Sequence, residues 1–149
     1  MKSTFYKPYL DDLILRFRVK SATDAVILLA GCEHCDGHEI VIGGWDNTKS
    51  VIRMKKQSPA DGNVRAETKS ILDGNEFREF WIQTASTTGK TRVIYVGKGG
   101  EEWPILKHEF TMVHNISHIA FASWAQNKIE YEILNGKVIS NILYIILSF

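Results

Sequence analysis

One stretch of the sequence, GGWDNTKSVIR at positions 43–53, combines a large aromatic ring with amide, carboxylate and cationic side chains. Its two glycines permit unusual backbone angles or the close approach of another segment. A tryptophan ring can stack on the C–H face of a sugar while neighbouring polar groups bind hydroxyls or an anionic substituent. Alternatively, the tryptophan packs inward and the polar residues only turn the chain. The candidate ligand-binding residues here are Trp45, Asp46, Asn47, Lys49 and Arg53.

Two further tryptophans, Trp103 and Trp124, lie beside turn-forming residues and join the candidate ligand-binding set. Each could equally cover one end of the fold. Trp81 lies inside the strand-like run EFWIQT and is predicted to belong to the core. A cluster of basic residues is interpreted either as a solvent-exposed strand edge or as a binding site for a carboxylate or sulfate. That cluster comprises Lys49, Arg53, Lys55 and Lys56.

Thiol and imidazole side chains are concentrated in the segment CEHCDGH, positions 32–38. Thiolate and imidazole are the ligands that Zn²⁺ prefers, but structural zinc sites normally draw on two separated pairs of ligands. Only one such pair is visible, so ordinary thiols or a local redox pair are the alternatives and no metal is assigned. The weak metal-ligand candidates are Cys32, His34, Cys35 and His38.

Catalytic motifs are missing from the sequence. Five histidines and several serines are present, but there is no Gly-x-Ser-x-Gly elbow of a hydrolase. The glycines at 43–44 and 97–100 follow strand-like runs without a helix behind them, so they lack the anion-binding geometry of a nucleotide or S-adenosylmethionine cradle. The residues therefore favour a non-catalytic protein without a cofactor.

The elements that must position these residues are strands, because apolar residues recur with a period of two. In LILRFRV, positions 13–19, Leu13, Leu15, Phe17 and Val19 alternate with other residues. Asn-Gly, Asp-Gly and Gly-Gly turns separate such runs at short intervals. This pattern predicts an all-β fold, a two-sheet antiparallel sandwich that is jelly-roll-like, with about eight to ten strands. The strand-like runs cover 13–19, 25–30, 38–44, 50–54, 79–84, 91–96, 118–122 and 128–134.

Chain length and net charge limit the number of domains and the classes of function. A chain of 149 residues fits one domain, 1–149. A formal net charge of +1 argues against a dedicated nucleic-acid binder. No secretory signal and no run of the ~20 apolar residues that a membrane helix needs are visible, which predicts a cytoplasmic protein without a membrane span.

The apolar segment at 137–149 ends the pattern of alternation. It is interpreted either as one last buried strand or as a segment that pairs with a neighbouring chain through an exposed sheet edge. The second interpretation, like an exposed edge strand elsewhere, allows a homo-oligomer.

Four segments carry a resemblance to a known family: FRVKSATDAVILLAG, HEIVIGGWDNTKSVIR, EFREFWIQT and VIYVGKGGE. Together they resemble the farnesoic acid O-methyltransferase-like domain of arthropods over about residues 12–133. The resemblance implies transfer of a methyl group from S-adenosylmethionine to farnesoic acid in the juvenile-hormone pathway. The same module also occurs in complement-like and α-2-macroglobulin-like proteins, which have no such role.

Three hypotheses follow. The leading one is a non-catalytic recognition module for a carbohydrate or another small polar or anionic ligand. The alternative, implied by the resemblance, is a farnesoic acid O-methyltransferase that uses S-adenosylmethionine. The second alternative is a structural or assembly protein that uses the apolar segment at its end.

Overall fold

The structure, a computed structural model, describes residues 13–31, 37–54, 64–86, 91–111, 116, 118–123, 127–134 and 143–148. These residues form eleven strands and one short helical turn, Gly44–Asn47. The strands are β1 Leu13–Lys20, β2 Ala25–Ala30, β3 His38–Gly43, β4 Lys49–Arg53, β5 Val64–Glu67, β6 Arg78–Ser86, β7 Thr91–Lys98, β8 Leu106–Thr111, β9 His118–Ser123, β10 Glu130–Ile133 and β11 Leu143–Ser148.

The strands form two sheets, which confirms the prediction of an all-β two-sheet sandwich. One sheet has five strands in the order β10-β1-β6-β7-β8, and the other has six in the order β11-β9-β2-β3-β4-β5. The chain changes sheet between β1 and β2, between β5 and β6, and then at each step from β8 to β11. The pairs β1–β10 and β2–β9 are nested as in a jelly roll. Between them, β2 to β5 and β6 to β8 are meanders.

The core lies between the sheets and follows the predicted alternation. Leu13, Leu15, Phe17 and Val19 of β1 are buried in it. The Phe17 ring lies 6.0 Å from Phe80 on the neighbouring strand and 5.9 Å from Phe121 in the opposite sheet. These aromatic contacts, and the apolar area buried around them, hold the two sheets together.

A tyrosine also joins the sheets through polar contacts. The Tyr131 hydroxyl on β10 donates to the backbone oxygen of Ala122 at 2.7 Å and accepts from the backbone N–H of Val26 at 2.9 Å. Burial raises the pKa of this phenol above its ordinary value, so it remains a neutral donor and acceptor. A side chain of one sheet thus bonds to the backbone of two strands in the other.

Trp81 is buried, as predicted, but it lies outside the core. Its neighbours in register are Arg16 and Gly97, on the outer face of the five-stranded sheet. A Cβ on Gly97 would come within 2.2 Å of the indole ring, so the ring packs closely against β7 where that strand lacks a side chain. The indole N–H donates to the backbone oxygen of Glu101 at 2.9 Å.

The apolar segment at the end of the chain contains β11, which pairs with β9 of the same chain. This ladder is parallel, whereas the other ladders among the described strands are antiparallel. Residues 137–142 and 149 of the segment lie outside the described residues. Within the described ranges, no helix is long and apolar enough to cross a membrane.

Deleting residues 138–149 should expose the edge of β9 along six register positions. Because an unpaired edge recruits other strands, we expect a lower Tm and association that grows with protein concentration. Thermal unfolding and size-exclusion chromatography with light scattering test this against the full chain. A truncated chain that is folded and monomeric while the full chain is oligomeric would contradict it and favour the assembly hypothesis.

Candidate functional site

The most unusual backbone of the described residues follows the end of β3. Gly43 has φ 63°, and then Trp45, Asp46 and Asn47 have φ 50°, 58° and 61°. Three consecutive residues with side chains therefore form one turn of left-handed helix. Each such residue costs about 1–2 kcal/mol, because Cβ crowds the following carbonyl oxygen.

Asn47 fixes this left-handed turn to the segment before β6. Its side-chain amide donates to the backbone oxygen of Leu72 at 2.8 Å and accepts from the backbone N–H of Leu72 at 3.1 Å. Its own backbone oxygen accepts from the N–H of Ser70 at 2.8 Å. Thr48 closes the turn by donating its hydroxyl to the backbone oxygen of Trp45 at 2.6 Å.

Gly43 connects the turn to the loop between β1 and β2. Its backbone oxygen accepts from the N–H of Asp24 at 2.9 Å and from the hydroxyl of Thr23 at 2.8 Å. A Cβ at this position would meet Leu72 Cδ1 at 2.7 Å and Asn47 Oδ1 at 2.8 Å. Both the positive φ and the crowding therefore require glycine.

Strained backbone is concentrated around this turn. The non-glycine residues with positive φ in the described part of the chain are Asp24, Trp45, Asp46, Asn47 and Ser70. The two outside the turn, Asp24 and Ser70, each donate a backbone hydrogen bond to it. Strain of this kind persists where surrounding contacts enforce it, and it clusters at binding and catalytic sites.

Trp45 is presented beside a small recess on the outer face of the six-stranded sheet. The recess has a volume of about 220 Å³ and is lined by Asp24, Val41, Trp45 and Arg53. The Trp45 side chain and backbone together remain 39% exposed. Val41 forms the apolar floor, and it belongs to a small buried cluster separate from the core.

Two cations lie against the Trp45 ring. The Lys49 ammonium is 4.8 Å from the ring centroid, and the Arg53 guanidinium carbon is 6.0 Å from it. Arg53 is buried and forms an ion pair with the buried Glu39, whereas Lys49 is half-buried. Both distances fall within the range of a cation–π contact, so the ring and the cations hold each other in place.

Asp24 supplies a carboxylate to the same recess. Burial raises its pKa, and the nearby Asp46 raises it further. Hydrogen bonds from the Thr23 and Asn127 side chains, and then the Arg53 charge, act in the opposite direction. The recess therefore holds a partly desolvated acid beside an aromatic ring and two cations.

The structure brings together four of the predicted ligand-binding residues at this site: Trp45, Asp46, Lys49 and Arg53. Asn47 is adjacent, but Leu72 occupies its amide, so it positions the turn. Trp103 is 83% exposed and follows β7 in the other sheet. Trp124, Lys55 and Lys56 lie outside the described residues. Asp24 and Val41 were not predicted, since nothing within their own segments signals a ligand.

Of the weak metal-ligand candidates, Cys32, His34 and Cys35 lie outside the described residues. His38 is buried between the sheets beside His108 and Phe110. Burial, followed by the neighbouring His108, lowers the pKa of His38 to about 4, so its ring is neutral at physiological pH. Within the described residues no group of three or more His, Cys, Asp or Glu side chains is arranged to hold a metal ion.

These features define the class: a β-sandwich domain with a strained, aromatic loop beside a small surface recess. The chain belongs to the farnesoic acid O-methyltransferase family, whose family model matches residues 2–136. That range includes β1 to β10 and the recess, and it ends before β11. Searches of curated proteins and of solved structures give no match. The resemblance seen in the sequence is thus confirmed.

Two substitutions of Asn47 should separate the stability contributed by its side-chain hydrogen bonds from the free-energy cost of its left-handed backbone. Asn47→Gly keeps the left-handed conformation but loses two side-chain bonds, so we expect a loss of about 2 kcal/mol of unfolding free energy. Asn47→Ala adds left-handed strain and should lose about 1 kcal/mol more. Urea denaturation measures both, with the exposed Asn75→Ala as the control within about 0.5 kcal/mol of wild type. Equal losses for the two variants would contradict the assigned strain.

Asp24→Asn should stabilise the folded protein at neutral pH. A raised pKa means that the folded state favours the neutral acid, so ionisation costs stability as pH rises through the folded pKa. We expect a higher Tm at pH 7 and a gain that disappears as pH falls towards the ordinary value of 3.8. Asp73→Asn is the control of opposite sign, because the backbone N–H of Asn75 lowers the pKa of Asp73. A gain at pH 7 for both variants would contradict this interpretation.

Proposed function

We propose that this protein is a non-catalytic recognition module that binds a carbohydrate at the recess around Trp45. The observation that carries the proposal is a partly exposed tryptophan that is held in a left-handed turn and lines a recess. Moving the ring into the core would not relieve the backbone strain of the left-handed turn or of its neighbours. Glycine would adopt the same backbone conformation at a lower free-energy cost. A binding role gives a reason to keep a large aromatic ring at so strained a position.

The chemistry of the recess supports a sugar. An indole face stacks on sugar C–H groups, and the carboxylates of Asp24 and Asp46 accept hydrogen bonds from hydroxyls. Its volume of about 220 Å³ lies below the range of about 300–1,000 Å³ that drug-sized ligands occupy. This size favours a single terminal sugar residue, and Lys49 adds a preference for one with a carboxylate or sulfate.

Glycan-array screening followed by calorimetric titration tests the proposal. We expect Trp45→Ala to weaken binding at least about fivefold, since an aromatic contact contributes about 1 kcal/mol or more. Trp45→Gly is the second variant, because glycine adopts the left-handed turn without strain and keeps the loop folded. Trp103→Ala, which removes an exposed tryptophan elsewhere, should bind like wild type. Binding that survives both Trp45 variants, or no ligand across neutral and acidic glycans, would refute the proposal.

The family match supports a second candidate, methyl transfer from S-adenosylmethionine to farnesoic acid. Such a reaction requires space for a nucleoside and for a long apolar chain. A recess of about 660 Å³ on the five-stranded sheet is instead lined by Trp81 together with charged groups that include Arg16, Glu79 and Glu101. This lining favours the recognition module. Calorimetry with S-adenosylmethionine distinguishes the two, because cofactor binding and formation of methyl farnesoate would establish the enzyme.

A further inference from the structure

A second recess lies at the end of the sandwich where three connecting loops meet. It has a volume of about 500 Å³ and is lined by residues 20–22, by residues 74–75, and by residues 127, 128 and 130. These segments lie together because β1 ends where β6 and β10 begin, with Lys20 paired to Glu130 and Val19 paired to Arg78. The volume is within the range of about 300–1,000 Å³ that small-molecule ligands occupy. We refer to this cavity as the end recess.

The end recess adjoins the recess beside Trp45. Asn127 lines the end recess, and its side chain donates a hydrogen bond to Asp24, which lines the other recess. The segment before β6 is shared in the same way, because Leu72 binds the amide of Asn47 in the left-handed turn while residues 74–75 line the end recess. The two recesses therefore meet at one hydrogen-bonded pair of side chains.

The backbone around the end recess is held by contacts within the protein. The N–H of Ser21 donates to the backbone oxygen of Asp73 at 3.0 Å, and the N–H of Asn75 donates to the Asp73 carboxylate at 2.7 Å. A Cβ on Gly74 would lie 3.5 Å from the Ala22 side chain, so these two loops lie close together. A recess that is formed before binding avoids the entropic cost of ordering loops around a ligand.

Most side chains that line the end recess are polar, and one of them is a lysine without an acidic partner. The Lys20 ammonium lies 3.4 Å from the Glu130 carboxylate. Lys128 is exposed and forms no ion pair within the described part of the chain. Its ammonium can therefore bind a carboxylate or sulfate, and the amides of Asn75 and Asn127 can bind hydroxyls.

We propose that the end recess is a second subsite beside Trp45, so that the two recesses together bind an acidic oligosaccharide of two or more sugar residues. This inference rests on the proposed function, because the terminal sugar stacks on Trp45. The next sugar lies in the end recess, where the amides of Asn75 and Asn127 bind its hydroxyls. A carboxylate or sulfate on that sugar binds the Lys128 ammonium.

NMR titration of the isotope-labelled full chain with three probes tests the second subsite. The probes are glucuronic acid, the chondroitin disaccharide of glucuronic acid and N-acetylgalactosamine, and the same disaccharide with a sulfate on its N-acetylgalactosamine. We expect the disaccharide to bind at least about fivefold more tightly than the monosaccharide, since one net hydrogen bond is worth about that factor. The sulfate should add about threefold, and this gain should disappear at about 1 M NaCl.

Two variants and a control locate the second sugar. Lys128→Ala should abolish the gain from the sulfate, and Asn75→Ala should weaken binding of the disaccharide about fivefold. Neither variant should change the affinity for glucuronic acid. Lys107→Ala is the matched control, because it removes a lysine from β8, at the opposite edge of the five-stranded sheet from β10. It should bind all three probes like wild type.

The outcomes separate this inference from the proposed function. Equal affinities for glucuronic acid and both disaccharides, all reduced by Trp45→Ala, would overturn the second subsite and leave the proposed function standing. Disaccharide binding that is unchanged by Trp45→Ala and lost with Lys128→Ala would contradict the proposed function and the joined site. Binding of none of the three probes would overturn the acidic oligosaccharide, and the glycan array then decides on the recess beside Trp45 alone.

Discussion

The close contact of Gly43 with Leu72 and Asn47 is the constraint on which the left-handed turn around Trp45 depends. A Cβ at Gly43 would lie less than 3 Å from both neighbours, so no other residue fits without moving them. Because Gly43 also turns with positive φ, β3 ends there and the left-handed turn begins. Its carbonyl then holds the loop that carries Asp24. Three separate segments are thus tied together at one residue.

Backbone strain and stabilising contacts are distributed differently between the sandwich core and the loop around Trp45. The sandwich core is built from unstrained alternating strands, and its stability comes from apolar burial around Phe17. The loop around Trp45 has little apolar burial and depends instead on hydrogen bonds from Thr23, Ser70 and Leu72. A rigid sheet beneath a loop held by many polar contacts is a common arrangement for recognition, since it presents side chains in a fixed geometry.

Much of the fold could be predicted from the sequence, because apolar residues alternate along β1 and are consecutive along β2, as expected of strands. β8 was missed because His108 takes a core position in the alternation of Leu106 and Phe110 and makes the pattern look polar. Trp45 could be found from its neighbours in sequence. Asp24 could not, because it reaches the recess only through a hydrogen bond across 19 residues to Gly43. Long-range contacts of this kind leave no local pattern.

The position of β1 has a consequence for synthesis on the ribosome. β1 lies between β6 and β10, so the residue paired with Lys20 is Glu130, 110 residues later in the chain. At translation rates of about 5–20 residues per second, β1 waits roughly 5–20 s for its last partner, while β2 to β5 can already pair with one another. During that time Arg18 and Lys20 lack Glu132 and Glu130, the glutamates they contact in the finished sheet. Unpaired charges on an edge strand disfavour its association with other strands.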